Sequence, residues 1–108
     1  MAHQHSSGFL AIVDDSKARV KEVTVAQTLK RLAANPKAVL IDVREDREWD
    51  AGHAAPAKHM GKGIIERDIE AAVPDHGTEL ILYCGGGFRS ALAGDALQKM
   101  GYKNVWSM

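Results

Sequence analysis

Cysteine is nearly absent from this sequence: one, Cys84, among 108 residues. That excludes an internal disulfide and a cysteine-based zinc site. Any disulfide relay would need a thiol from a second molecule. Net charge is also missing, since 14 basic residues face 14 acidic ones, and nothing argues for nucleic acid or an acidic membrane as partner. No apolar run approaches the length of a bilayer span. The N-terminus has no basic, apolar, small-residue signal pattern, so the expected location is the cytoplasm. What remains is ordinary for a globular chain, 45% apolar and 26% charged, with enough length for one domain and a modest core. Residues 1–8 read as a tag remnant or disordered N-terminus, His3 and His5 included, and residues 9–108 as a single domain. No metal site is expected.

The most informative stretch runs from Leu80 to Ser90: Leu-Ile-Leu-Tyr-Cys-Gly-Gly-Gly-Phe-Arg-Ser. It reads as a strand, a tight loop and a helix start, with the thiol where the strand ends. A cysteine in that position, taken alone, is usually a small buried hydrophobe. Its company argues otherwise. Gly85, Gly86 and Gly87 let backbone N–H groups turn toward one point. The helix start adds unpaired donors and the positive end of a dipole, and Arg89 adds a cationic fork. All of these favour thiolate over thiol. A fall of about two pH units from the free value, roughly 2.7 kcal/mol, makes thiolate the major form at neutral pH. Cys84 is the candidate nucleophile, with Gly85, Gly86, Gly87, Phe88, Arg89 and Ser90 around it.

Elsewhere strands and helices alternate. Phe9 to Val13 suits a short helix lying over the domain, and Val20 to Val23 a strand. Thr24 is a good N-cap for a helix presenting Val25, Leu29 and Leu32 on one face and ending near Asn35, before Pro36. Ala38 to Val43 is apolar except for Asp42, as in a strand buried on both faces. Arg44 to Asp50 forms a charged helical turn, Ala57 to Met60 a short strand, and Ile64 to Val73 a helix with Ile64, Ile65 and Ile69 inward. After the Pro74–Gly77 turn come the Glu79–Tyr83 strand, a Phe88–Met100 helix packing through Leu92, Ala96 and Leu97, and a last strand over Asn104 to Ser107. This order indicates an α/β fold: a parallel sheet of about five strands with helices on both faces. Ligands of such sheets bind beyond the strands' carboxyl ends, where Cys84 and the Asp42–Arg44 turn both fall.

Cys84-Gly-Gly-Gly-Phe-Arg89-Ser90 resembles the active loop of single-domain thiosulfate sulfurtransferases of the rhodanese family. Asp42-Val43-Arg44-Glu45, with Glu48-Trp49 and Gly52-His53, resembles the family's upstream signature, and the match extends over roughly Val20 to Met108. The resemblance implies the three-layer rhodanese fold and transfer of sulfane sulfur from thiosulfate, or another such donor, through a Cys84 persulfide. The acceptor would be cyanide or a thiol, a thioredoxin-like protein among the candidates, and no cofactor is required. Arg89 either holds the sulfonate end of thiosulfate or fixes the loop. Asp42, Arg44 and His53 are implied as supporting residues, and Lys58 and Lys62 read as solvated surface.

Four residues separate Cys84 from Arg89; related phosphatases have five, so sulfur transfer is preferred to phosphate hydrolysis. A persulfide carrier or regulatory module, loaded by a protein donor, is the alternative. Two departures stand out. Ala54-Ala55-Pro56 replaces the family's usual branched residue and Pro-Gly, and the family's final helix after the last strand has no counterpart before Met108. The apolar face that helix covers is expected to be covered by Phe9–Val13 or by another molecule, unless the chain is cut short.

Overall fold

The computed structural model describes residues 5–108; the part of the tag expectation that concerns residues 1–4 lies outside them. The elements run α1 (Ser7–Lys17), β1 (Lys21–Glu22), α2 (Val25–Ala34), β2 (Val39–Asp42), α3 (Asp46–Ala51), β3 (Lys58–His59), α4 (Ile65–Ala72), β4 (Leu80–Tyr83), α5 (Phe88–Lys99) and β5 (Val105–Ser107). The five strands form one sheet in the order β1-β5-β4-β2-β3, and every pairing is parallel. The central strands are the apolar ones, as a sheet covered on both faces requires. Leu80, Ile81, Leu82 and Tyr83 of β4 are all buried.

Alternation along β2 and β4 divides the core. Ile41, Leu80 and Leu82 face α4 and α5, meeting Ile65, Ile69, Ala93 and Leu97. Leu40, Ile81 and Tyr83 face the other way, toward Leu32 of α2, Ala54 and Ala57. Thr24 caps α2 as its sequence predicts, in a capping box with Gln27. Asn35 closes the helix, its side chain bonding Glu79 and its oxygen accepting from Lys37 N–H.

Helix α1 begins at Ser7, with Ser6 as its N-cap, and runs past Val13 to Lys17. Val13 and Ser16 are its buried residues, and Ser16 Oγ donates to Asp95 of α5 at 3.2 Å. Arg19, just after α1, grips the same carboxylate through Nε at 2.9 Å and Nη2 at 2.7 Å. Beside this contact Gly94 lets Val20 pack closely: a Cβ there would stand 3.1 Å from Val20 Cγ1, so a larger residue would push that side chain aside by a few tenths of an ångström. Because α1 packs on α5, it lies on the α4–α5 side of the sheet. On the opposite side half-buried Trp106 is roofed by cations, with the Arg31 guanidinium 3.4 Å and Lys21 Nζ 5.2 Å from the indole centre.

Three packing expectations need correction. Val25 and Leu29 are 63% and 64% exposed, and α2 buries Thr28 instead. Ile64 precedes α4 as its N-cap and is exposed. In α5, Leu97 is buried but Leu92 and Ala96 are half-buried, and Ala91, Ala93 and Gly94 supply the close contact.

Candidate active site

Strand β4 delivers Cys84 to the carboxyl edge of the sheet, and α5 starts four residues later at Phe88. The turn between them rests on Gly87, whose φ of 82° lies in the left-handed region, a conformation that costs other L-residues about 1–2 kcal/mol. That conformation turns the Gly87 N–H onto Cys84 Sγ at 3.2 Å, while its carbonyl accepts from Ala91 N–H in the first turn of α5. Gly85 and Gly86 have no such requirement. Both are exposed, and a Cβ on Gly86 would meet nothing within 4 Å. Their smallness leaves the rim above the sulfur open.

Burial pushes the Cys84 thiol up, but hydrogen bonding from the Ser90 hydroxyl and from the backbone of Ser90, Gly86 and Gly87 outweighs it, and the net displacement is downward from 9.0. The backbone donor that meets hydrogen-bond geometry at the sulfur is the Gly87 N–H. Ser90 Oγ stands 3.6 Å from Sγ and 2.7 Å from Ser107 Oγ at the end of β5.

Arg89 is held by Glu48 of α3 through two parallel bonds, Nη1 to Oε1 at 2.6 Å and Nη2 to Oε2 at 3.0 Å. This fork-on-carboxylate geometry is the strong form of an ion pair. The guanidinium interacts electrostatically with the Cys84 sulfur and lies against the loop, Nη2 standing 3.8 Å from where a Gly85 Cβ would be, with its forked face occupied by Glu48. The hydrogen bond from Arg89 holds the Glu48 carboxyl down at about 2.

Asp42 and Arg44 form a brace beneath the loop. Asp42 is fully buried and takes Arg44 Nε at 3.0 and 3.1 Å, Nη2 at 2.8 Å and the Arg44 backbone N–H at 2.9 Å. Burial pushes its carboxyl up, and these bonds bring it below its ordinary value. Arg44 Nη2 also donates to the Gly52 carbonyl, and Tyr83 OH accepts from Ala54 N–H, so the segment after α3 is tied to the ends of β2 and β4. His53 is exposed, its Nδ1 2.9 Å from the Trp49 carbonyl and its ring stacked on Trp49 at 3.3 Å. His59 stacks on the same indole at 4.8 Å. Asp42 and Arg44 are thus bound to each other while His53 is bound to Trp49, and none of these contacts includes Cys84.

A cleft of about 730 Å³ opens beside the loop, lined by Arg89, Arg44, Arg47, His59, Lys62 and Phe9 among others. Cys84 does not line it; Arg89 is the boundary between cleft and cradle. Phe88 is half-buried, with the rings of His5 and Phe9 4.9 and 6.2 Å away and Lys17 Nζ 4.9 Å above it. Lys58 is exposed, as is Lys62 on the cleft wall. Among the described residues no group of three or more potential metal ligands occurs, and no helix is long and apolar enough to cross a membrane.

Two residues of the site carry roles the sequence reading did not assign. Glu48 was visible as part of the upstream motif, but its pairing with Arg89 spans 41 positions. Ser107 gave no signal; the parallel register Leu82↔Ser107 brings it to the active edge.

Comparison with known proteins gives the family and the fold. The family model described as Rhodanese-like domain matches residues 25–108. A Bacillus subtilis protein, YtwF, provisionally named a sulfurtransferase, is 33% identical over 86 residues, covering 80% of this chain and 82% of that protein. Among solved structures, the polysulfide-sulfur transferase homodimer of Wolinella succinogenes superimposes with a TM-score of 0.75 at 30% identity, over 93% of this chain and 75% of that one. A Rhodopseudomonas palustris protein of unknown function, described as a possible tyrosine phosphatase, gives 0.78 at 26% identity, over 98% and 86%. Other curated relatives are longer: the chain spans 29% of a tRNA uridine(34) hydroxylase and 24% of an adenylyltransferase/sulfurtransferase.

Proposed function

Because this chain belongs to the rhodanese-like domain family, we propose that it moves sulfane sulfur from thiosulfate, or a donor of the same kind, to a thiol or cyanide through a persulfide on Cys84. The observation that carries the reading is the set of groups converging on one sulfur at a strand end: the Gly87 N–H donating at 3.2 Å and the Ser90 hydroxyl at 3.6 Å, which accepts from the thiol and donates to the thiolate, beside the Arg89 guanidinium. In the first half-reaction the Cys84 thiolate attacks the outer sulfur of thiosulfate. A new S–S bond forms, the old one breaks, and sulfite leaves with the electron pair. In the second, an acceptor thiolate or cyanide attacks the terminal sulfur and Cys84 departs as thiolate. Neither step removes a proton from a hydroxyl, so His53 has no general-base role. Neither draws on a cofactor or metal.

The negative charge carried by thiolate and persulfide is what fixed N–H dipoles stabilise best, because they need no reorganisation when the charge arrives. Arg89 acts as loop brace and field source rather than as a free sulfonate clamp, since Glu48 takes both of its terminal nitrogens. The same pairing leaves it poorly placed to grip a transferring phosphoryl group, which supports sulfur transfer over phosphate hydrolysis. A thiolate with no second cysteine in its chain suits the reducing cytoplasm.

The persulfide-carrier reading uses the same cysteine and draws support from the exposed rim at Gly85 and Gly86, over which another protein's thiol can approach. Three assays separate the readings. Thiocyanate formation from thiosulfate and cyanide, lost in Cys84→Ser, is expected for the enzyme. Persulfide uptake from a protein donor without thiosulfate turnover would replace it by the carrier, and hydrolysis of an aryl phosphate by a phosphatase.

A further inference from the structure

We infer that Ser107 is a positioning residue for Cys84: its hydroxyl, delivered by the neighbouring strand, donates to Ser90 and so turns the Ser90 proton toward the sulfur. The inference rests on the reading of Cys84 as an anionic nucleophile, and it concerns two buried hydroxyls with few places to put their protons. Ser90 is 0% and Ser107 1% exposed, and their oxygens are 2.7 Å apart, with either able to donate. The Ser107 hydroxyl shows no other hydrogen bond among the described residues, whereas Ser90 Oγ also reaches Sγ. The thiol donates to Ser90 Oγ, but the thiolate can only accept; if Ser90 then donated to Ser107, the Ser107 proton would have no acceptor and the ionised sulfur would lose a donor. If Ser107 donates to Ser90, both protons are satisfied and the chain ends on the sulfur. A buried donor left unpaired costs about 1–3 kcal/mol, so the second polarity wins. It gains further when the sulfur is an anion, because a hydroxyl that accepts one bond donates a stronger one.

The register of β5 makes this possible. Ser107 pairs with Leu82 in the parallel ladder, and Met108 N–H donates to the Leu82 carbonyl, which fixes Ser107 at the level of the loop. Among ionisable groups, Arg89 of α5 faces Cys84, paired with Glu48 of α3. At the ends of β2 and β4, Asp42, Arg44 and Tyr83 interact with one another. A change at Ser107 removes none of these charges.

The test is the pH dependence of Cys84 alkylation by iodoacetamide, checked by thiolate absorbance. In Ser107→Ala the midpoint should rise by about half to one pH unit, the equivalent of one hydrogen bond. S107T and S107V share a shape and differ in the hydroxyl, so S107T should keep the wild-type midpoint and S107V should shift like the alanine variant. In a Ser90→Ala background, S107A should add nothing, because its effect passes through Ser90. An unchanged midpoint in both S107A and S107V, or an equal shift without Ser90, overturns the inference. Alkylation reads the thiolate whether or not sulfur is transferred. A protein that fails to load from thiosulfate yet keeps these shifts therefore counts against the proposed function and supports the role of Ser107.

Discussion

Replacing Glu48 by Gln removes one charge and leaves the shape, so it isolates the ion pair that holds Arg89 over the loop. Two bonds at 2.6 and 3.0 Å are at stake. The carboxyl is lowered from 4.5 to about 2, which at face value corresponds to about 3 kcal/mol. With 31% of Arg89 and 32% of Glu48 in water, solvent screening brings this to about 1 kcal/mol. The sign follows from the direction. A carboxyl lowered on folding contributes its full stabilisation above the unfolded value near 4.5 and loses it as pH falls through about 2. Urea unfolding should therefore place Glu48→Gln about 1 kcal/mol below wild type at neutral pH, with the gap closing in strong acid. Release of Arg89 should also slow persulfide formation, about fivefold if the whole of that energy acts on the loop. A stability gap independent of pH, or wild-type loading by the variant, would refute the reasoning.

Further outcomes follow from the same geometry. Gly87→Ala should cost about 1–2 kcal/mol in urea unfolding because of its left-handed φ, whereas Gly86→Ala, open above, should stay within about 0.5 kcal/mol. Asp42→Ala removes the buried partner of half-buried Arg44, which keeps only the Gly52 carbonyl, and should cost about 1.5–3 kcal/mol in thermal or urea unfolding. Wild-type stabilisation from Asp42 holds above the ordinary carboxylate value and declines as pH falls through its lowered one. Val25→Ser and Leu29→Ser should each change stability by less than about 0.5 kcal/mol; a loss above about 2 kcal/mol would mean these side chains are covered in solution.

The fold was legible wherever local chemistry and burial agree. The apolar runs of β2 and β4, the Thr24 cap and the Gly-rich turn into α5 are each specified within a few residues, and each stands where the sequence predicts. Cys84 and its loop were legible for the same reason: cradle, strand end and helix start are contiguous. Helix α2 shows the limit. Its apolar stripe is real, yet Val25 and Leu29 face solvent, because periodicity reports a face and not what comes to cover it. Likewise α1 could be read as a helix, but its seat on α5 is made through Ser16 and Arg19 to Asp95, 79 and 76 positions away. Arg89 could be placed beside the sulfur, but its commitment to Glu48 could not, and the Ser90–Ser107 contact exists only through strand register. These are long-range pairings, for which a single sequence carries no periodic signal.

The central claim is that Cys84 carries sulfur, and intact-protein mass spectrometry after incubation with thiosulfate tests it most directly. A gain of one sulfur atom, removed by cyanide and absent in Cys84→Ala, is the predicted result. A gain that persists in Cys84→Ala, or no gain from thiosulfate or any other sulfane-sulfur donor, would contradict it.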